Sequence, residues 1–362
     1  MSNTQTSIFD KETYKPKSSF TITEFCSGIG GFRLGLEAIG GKIVLSSEID
    51  KYAIQTYKHW FNEDSEGDLF DYKSSDIPNH DILTAGFPCQ PFSVAGVVSN
   101  KHWDKTKPEN LKKKSGFQYT DQKEGGEQGQ VFNGLLKIIK RKRPKAIILE
   151  NVRGLLSHDK GNTWEVIQEE LKKAQYDIYF KVIDAVHWVP QHRRRVFIVG
   201  FDKKQFDTNK VDFFSFPTEP ITELKIGSIL QKRVKEKYTL KDGTWNSLQT
   251  IRERNRNMPK GQKKGFGYSI VDREGPSRTL TKRYFKDGAE ILIEQKNKNP
   301  RRLAPLEALR LMGFDQIENR YDNTNEIFVV SDSQAFRQLG NAVVPHVVEA
   351  VGREVLRTIE NN

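Results

Sequence analysis

Phe20-Thr21-Ile22-Thr23-Glu24-Phe25-Cys26-Ser27-Gly28-Ile29-Gly30-Gly31 is the stretch on which the fold turns. An apolar run of strand length enters a glycine turn, and a helix opens behind it. Glycines in such a turn let the main chain approach a bound, nucleotide-like group closely. Turns of this kind serve many ligands. The dinucleotide fingerprint G-x-G-x-x-G would need glycine at position 33, where this chain has Arg33, so a nicotinamide dinucleotide is disfavoured.

Outward from that turn, strand candidates follow at Ile43–Ser46, Asp81–Ala85, Ala146–Leu149, Lys181–Ala185 and Val196–Gly200. Between them Phe132, Leu135, Leu136 and Ile139 recur at the spacing of one helix face, and so do Trp164, Ile167, Leu171 and Ala174. This alternation predicts an α/β protein with a doubly wound, mostly parallel sheet and helices on both sides. Regularity fades after Phe201, where Lys, Arg, Gly and Asn dominate and strand signals such as Ala289–Ile293 are weak. Helical spacing returns at Pro305–Met312 and at Val348, Val351, Val355 and Ile359. The expected division is a disordered tail over 1–19, a large domain of 20–203 completed by 338–362, and a smaller, loop-rich domain over 204–337. The last helix is expected to pack back on the large domain. Val97–Gln130, with its Lys112-Lys113-Lys114 run, reads as a long mobile loop.

The net charge of +11 over 362 residues is unevenly placed. Residues 221–302 hold 21 Lys and Arg against 9 Asp and Glu, so one segment carries the whole surplus. A polyanionic partner fits that footprint, and so does a solvated lysine-rich surface. Two cysteines, Cys26 and Cys89, exclude a disulfide framework, and no Cys/His spacing suits a metal. The first twenty residues lack the apolar region of a secretory signal, and no run reaches the roughly 18 apolar residues of a membrane span. A soluble cytoplasmic protein with free thiols and no membrane partner is expected.

Two acids sharpen the glycine turn. Glu48 ends the second strand, where a carboxylate can accept both hydroxyls of a ribose. Asp68 lies in the next connection, where it could accept from an adenine amino group. Each acid alone is more often a solvated surface carboxylate; together with the turn they favour an adenosine-containing cofactor. Cys89 stands just past the strand Asp81–Ala85, at the carboxyl edge of the sheet where doubly wound proteins bind ligands. A lone Cys is usually a small core residue, but flanking Pro88, Gln90, Pro91 and Ser93 argue against that here.

Gly86-Phe87-Pro88-Cys89-Gln90-Pro91-Phe92-Ser93 resembles the nucleophile motif of the DNA (cytosine-5) methyltransferase family, of the bacterial restriction-modification type. The resemblance continues in order through Glu150-Asn151-Val152, Gln191-His192-Arg193-Arg194-Arg195, Arg302 to Phe314, and Gln338-Leu339-Gly340-Asn341-Ala342-Val343. It runs from about Phe20 to the C-terminus. Departures are Cys26 in place of an aromatic residue, Glu127–Phe132 without the usual Arg, Trp188 in place of a glycine, and a longer loop after Cys89.

The resemblance implies a Rossmann-like fold dependent on S-adenosylmethionine, which is converted to S-adenosylhomocysteine while carbon 5 of a cytosine in double-stranded DNA is methylated. It implies no metal. Carbon 5 is too weak a nucleophile on its own; a Cys89 thiolate adding to carbon 6 makes it an enamine carbon. Arg193 and Arg195 are expected to favour the thiolate and bind the base oxygen or a phosphate. Glu150 is expected to hold protonated the ring nitrogen on which charge builds. The target must leave the base stack to be reached. Carried over by motif, the cofactor site comprises Cys26, Ser27, Gly28, Ile29, Gly30, Gly31, Glu48, Ile49, Asp68, Leu69, Gly86, Pro88, Val131, Asn341 and Ala342. The DNA contacts comprise Gln90, Ser93, Arg278, Thr279, Leu280, Lys282, Arg283 and Tyr284. A monomer working at the nucleoid, reading a short G·C-containing palindrome and paired with a restriction endonuclease, completes the expectation. Two rivals are weighed. The tRNA-methylating branch carries a further Cys motif, and no Cys follows Cys89 here. An inactive DNA-binding regulator would not need Cys89, Glu150 and Arg195 intact.

Overall fold

The structure, a computed structural model, describes residues 19–88, 131–208, 213–256, 258–259, 268–286, 288–321 and 326–362. Cys89, Gln90, Ser93, the loop Val97–Gln130 and the tail before Ser19 lie outside the described residues.

The chain order is β1 (Phe20–Phe25), α1 (Gly31–Glu37), β2 (Gly41–Ser47), α2 (Lys51–Phe61), β3 (Ile82–Gly86), α3 (Val131–Lys142), β4 (Ala146–Val152), α4 (Asn162–Lys173), β5 (Tyr176–Asp184) and β6 (Arg194–Asp202). There follow α5 (Asp242–Arg256), the hairpin β7 (Ile293–Gln295) and β8 (Lys298–Arg301), then α6 (Pro305–Leu311), α7 (Asp315–Glu318), α8 (Asp332–Asn341) and α9 (Pro345–Asn361). Six strands form one sheet in the order β2-β1-β3-β4-β6-β5. The first four in that order are parallel, while β6 runs antiparallel to both β4 and β5. The expected doubly wound, mostly parallel sheet is therefore present.

Central strands of such a sheet are covered on both faces, so they are apolar throughout rather than alternating. Ile82-Leu83-Thr84-Ala85 and Ala146-Ile147-Ile148-Leu149 are all fully buried. Ile22, Ile82, Ile148 and Val199 point to one side, where Phe32 and Leu36 of α1 and Val348, Val351 and Val355 of α9 cover them. Leu83, Ala85, Ile147 and Ile198 meet Leu135 and Ile139 of α3 and Ile167 and Leu171 of α4 on the other. The final helix does pack on the first: a Cβ on Gly35 would lie 2.5 Å from the Pro345 carbonyl oxygen, so glycine is required there.

Four features differ from expectation. Strand β5 starts at Tyr176, ahead of Lys181, because it is the sheet's edge and its mixed burial dilutes the apolar signal. Helix α5 has 15 residues of which only Asn255 is buried, leaving no apolar period to detect. Ala289 and Ile291–Ile293 are buried, but apart from a single bridge between Leu292 and Ile270 the pairing begins only at Ile293. The division drawn between 337 and 338 falls inside α8. Among the described residues no helix is long and apolar enough to cross a membrane.

Candidate active site

Parallel β1, β3 and β4 all end at one edge of the sheet, and the reversed direction of β6 brings its first residues to that same edge. Two clusters form there.

The first surrounds the glycine turn. Cys26, Gly28 and Gly30 have φ of 52°, 55° and 81°, the left-handed region in which Gly30 is comfortable and Cys26 is not. The Gly28 N–H donates to Glu48 Oε2 at 2.8 Å, while Glu48 Oε1 accepts from the Ile49 and Asp50 N–H groups. The Glu48 main chain bonds Ser65 and Gly67, which draws the Asp68 connection alongside. Asp68 accepts from the Phe70 N–H at 3.0 Å. The half-buried Cys26 thiol feels both carboxylates: burial first, then Glu48, Asp68 and Glu24, raises its pKa strongly, so it stays protonated. Ile49 is 73% exposed beside this cluster, and Leu69 is buried. Gly31 packs against the Val343 carbonyl, which sets the exposed Asn341 and half-buried Ala342 near the turn. Val131 and Pro88 are half-buried at their chain positions, whereas the Ile29 side chain turns into the core.

The second cluster lies across β3, β4 and β6. Gly86 pairs with Glu150, and a Cβ on Gly86 would lie 3.6 Å from Glu150 Oε2. Val152 pairs with Arg195 and Glu150 with Phe197, so period-2 alternation puts Glu150 and Arg195 on one face. Arg195 Nε lies 3.0 Å from Glu150 Oε1. Burial raises the Glu150 pKa, against the pull of Arg195 and Arg193. The Asn151 carboxamide donates to the Phe87 carbonyl at 2.8 Å, pinning the chain as it leaves β3. A concavity of about 500 Å³ opens beside Arg195, lined by Val152, Arg153, His192, Arg194 and Thr279.

The same alternation sorts the Gln191–Arg195 motif. Gln191 and Arg193 point inward, at 0% and 1% exposure, while His192 and Arg194 point outward and both bond Asp184 Oδ2 at 3.0 Å. Arg193 therefore differs from expectation. Its guanidinium donates to the carbonyls of Leu280 (2.9 Å), Gly340 (3.1 Å) and Ala342 (2.7 Å), and it presents no surface to a base. Burial and Arg195, opposed by Glu150, push its pKa down to about 9, so it remains charged at neutral pH. Two expected DNA contacts are corrected for the same reason. Leu280 and Tyr284 are fully buried, and the Tyr284 hydroxyl donates to the Ile291 carbonyl and accepts from the Leu303 N–H. Arg278, Lys282 and Arg283 are exposed and Thr279 is half-buried. Among the described residues no group of three or more His, Cys, Asp or Glu could hold a metal.

Glu24 and Asn151 were missed as site residues. An acid near the end of an almost wholly buried strand marks Glu24.

A family model of C-5 cytosine-specific DNA methylases matches residues 20–357. The chain is 40% identical over 348 residues to the Type II methyltransferase M1.ScrFI of Lactococcus lactis subsp. cremoris, covering 95% of this chain and 80% of that protein. It is 40% identical over 346 residues to the Type II methyltransferase M.DsaV of Dactylococcopsis salina, covering 95% and 88%. Among solved structures, the Entamoeba histolytica methyltransferase EhMeth superposes with a TM-score of 0.66 at 20% identity, over 95% of this chain and 99% of that one. This last likeness concerns the fold alone. Since the family match runs unbroken through every element that carries the two clusters, the chain belongs to the C-5 cytosine-specific DNA methylase family.

Proposed function

We propose that the chain methylates carbon 5 of a cytosine turned out of duplex DNA into the concavity beside Arg195, the partner of Glu150, with Cys89 as nucleophile and S-adenosylmethionine as methyl donor. The observation that carries this reading is the Glu150–Arg195 pair set against Gly86, on a chain that Asn151 pins two residues before Cys89.

The glycine turn fits the donor. No heavy atom lies within 4 Å of a Cβ built on Gly28, and Glu48 and Asp68 flank the opening with oxygens that can accept hydroxyl and amino protons. Glu48, Ile49, Asp68, Asn341 and Ala342 would hold the nucleoside and amino-acid parts. When bound, S-adenosylmethionine supplies a methyl group made electrophilic by its sulfonium. The remaining work belongs to the chain. Arg195 stabilises negative charge near the target. Glu150, held towards its protonated form by burial, donates to the ring nitrogen on which charge builds as Cys89 adds to carbon 6. Carbon 5, once methylated, loses its proton to a general base; the electron pair released expels the Cys89 thiolate and restores the ring, and the ring-nitrogen proton returns to Glu150. Cys26 stays a thiol and does not compete. Methylation of one short site would protect DNA from a cognate endonuclease, the role suggested by relatives named as Type II methyltransferases.

The test uses a duplex carrying 5-fluorocytosine, whose fluorine cannot leave as a proton does. Wild-type protein should form a covalent adduct resistant to denaturation, and Cys89→Ala should form none. An adduct with Cys89→Ala would overturn the nucleophile, and absence of 5-methylcytosine from the DNA of an expressing host would overturn the reaction.

A further inference from the structure

We propose that Arg193 is a positioning residue that couples the DNA-reading segment to the cofactor end of the site, an inference that rests on the function proposed above. With 1% exposure Arg193 offers almost no surface to either partner. One guanidinium nitrogen, Nη1, holds the Leu280 carbonyl at 2.9 Å. Its twin, Nη2, holds the carbonyls of Gly340 and Ala342 at 3.1 and 2.7 Å. Leu280 lies between Arg278 and Arg283, the exposed residues expected to meet DNA, and Gly340 and Ala342 bracket Asn341. The two segments also touch directly: a Cβ on Gly340 would lie 2.4 Å from the Thr281 carbonyl carbon and oxygen and 2.5 Å from the Lys282 nitrogen. Gln191 fixes the same segment, its Oε1 accepting from the Leu280 N–H at 2.7 Å.

These contacts leave little slack. Residues 280–282 cannot move towards or away from DNA unless 340–342 follow, or a buried guanidinium is left short of acceptors, which is costly. Arg195, two residues along at the start of β6, pairs with Glu150, so the joint also bears on that pair. DNA engaged by the recognition segment and cofactor engaged by the Asn341 turn therefore favour one shared arrangement, and by linkage each raises affinity for the other equally. Lysine at 193 places a single ammonium where a planar fork spans three carbonyls, so it cannot serve both segments.

The experiment measures S-adenosylhomocysteine binding by calorimetry, with and without a duplex carrying the site mapped from an expressing host. It compares wild type, Arg193→Lys and Gly340→Ala; the last disturbs the joint with Arg193 intact. DNA should tighten wild-type binding by about tenfold, within the usual range of coupling between sites. Both variants should bring that ratio close to one and narrow the preference for the site over a one-base mismatch. Binding of S-adenosylhomocysteine without DNA should stay within about threefold of wild type, and so should affinity for mismatched duplex, as expected when only the coupling is removed. Retained enhancement in either variant would overturn the proposal. So would a loss of DNA-free binding together with a collapsed melting temperature, the mark of a purely structural residue. A wild-type protein that binds the ligand without enhancement by DNA overturns the coupling alone, whereas one that binds neither ligand nor DNA overturns the function beneath it.

Discussion

Glu24 stands one residue from the end of β1 with no exposed surface, and neither of its carboxylate oxygens has a hydrogen-bond partner among the described residues. Burial raises its pKa to about 8; the positive charge of Arg33 opposes the shift, and Glu37 and Glu48 add to it. A folded pKa above the usual value of 4.5 means that folding binds a proton. The stability this contributes is complete below about pH 4.5 and is lost as pH rises through about 8. Glu24→Gln mimics the protonated form, so its melting temperature should be nearly level from pH 5 to pH 9 where that of wild type falls. Parallel decline of the two curves would show that Glu24 is not the titrating group. The sequence displays this acid inside a legible motif but not the absence of partners around it, because that depends on what α1 and β3 bring to its side. Arg193 was hidden likewise. Gln191, Arg193 and Arg195 alternate along one motif, yet which arginine reaches the pocket is decided by carbonyls from Leu280, Gly340 and Ala342, far along the chain. Tyr284 resembles a recognition residue by type, and only its bonds to Ile291 and Leu303 reveal its direction.

Between elements, the joint that holds β8 to α6 is a buried ion pair. Arg301 donates to both oxygens of Glu307 at 2.7 and 2.9 Å, and their side chains are 6% and 0% exposed. Glu307 also accepts from the Ala304 N–H at 2.8 Å, closing the first turn of α6, and from the Gln231 N–H at 2.8 Å. One carboxylate thus ties the start of a helix, a hairpin strand and the loop at Gln231. Glu307→Ala leaves a buried guanidinium without its counter-charge and should cost about 3–5 kcal/mol in urea unfolding. Replacing both partners with well-packed apolar residues should recover much of that loss. A single variant as stable as wild type would show that the pair does not brace this joint. Legibility at this scale followed burial. β3, β4 and the faces of α3 and α4 announce themselves because both sides of the sheet are covered. Edge strand β5 was truncated by its mixed burial, and α5 passed unseen because its surface is polar nearly all round.

Over the whole molecule, some of the Lys and Arg side chains of residues 221–302 are paired within the fold. Lys225 pairs with Glu274, Lys298 with Glu236, Lys237 with Asp332 and Arg301 with Glu307. Charges held this way offer less to a polyanion than the bare count suggests. Lys232 and Arg278 are exposed and have no ion-pair partner among the described residues, so they are the sharper probes; Lys263 lies outside those residues. A lysine that meets only phosphate releases counterions on any sequence. Lys232→Ala should therefore weaken binding equally on the mapped site and on a one-base mismatch, and reduce the slope of log affinity against log salt by about 0.9. An arginine that forks onto guanine in the major groove should behave otherwise. Arg278→Ala should cost about 1–3 kcal/mol on the correct site and little on the mismatch at its own position. Arg283 makes the same test a second time from the other end of the segment. Binding of all three variants to both duplexes across a salt series separates the roles. Equal losses on both duplexes for Arg278→Ala and Arg283→Ala would reduce them to phosphate contacts. A sequence-dependent loss for Lys232→Ala would move part of the readout to the other side of the basic surface.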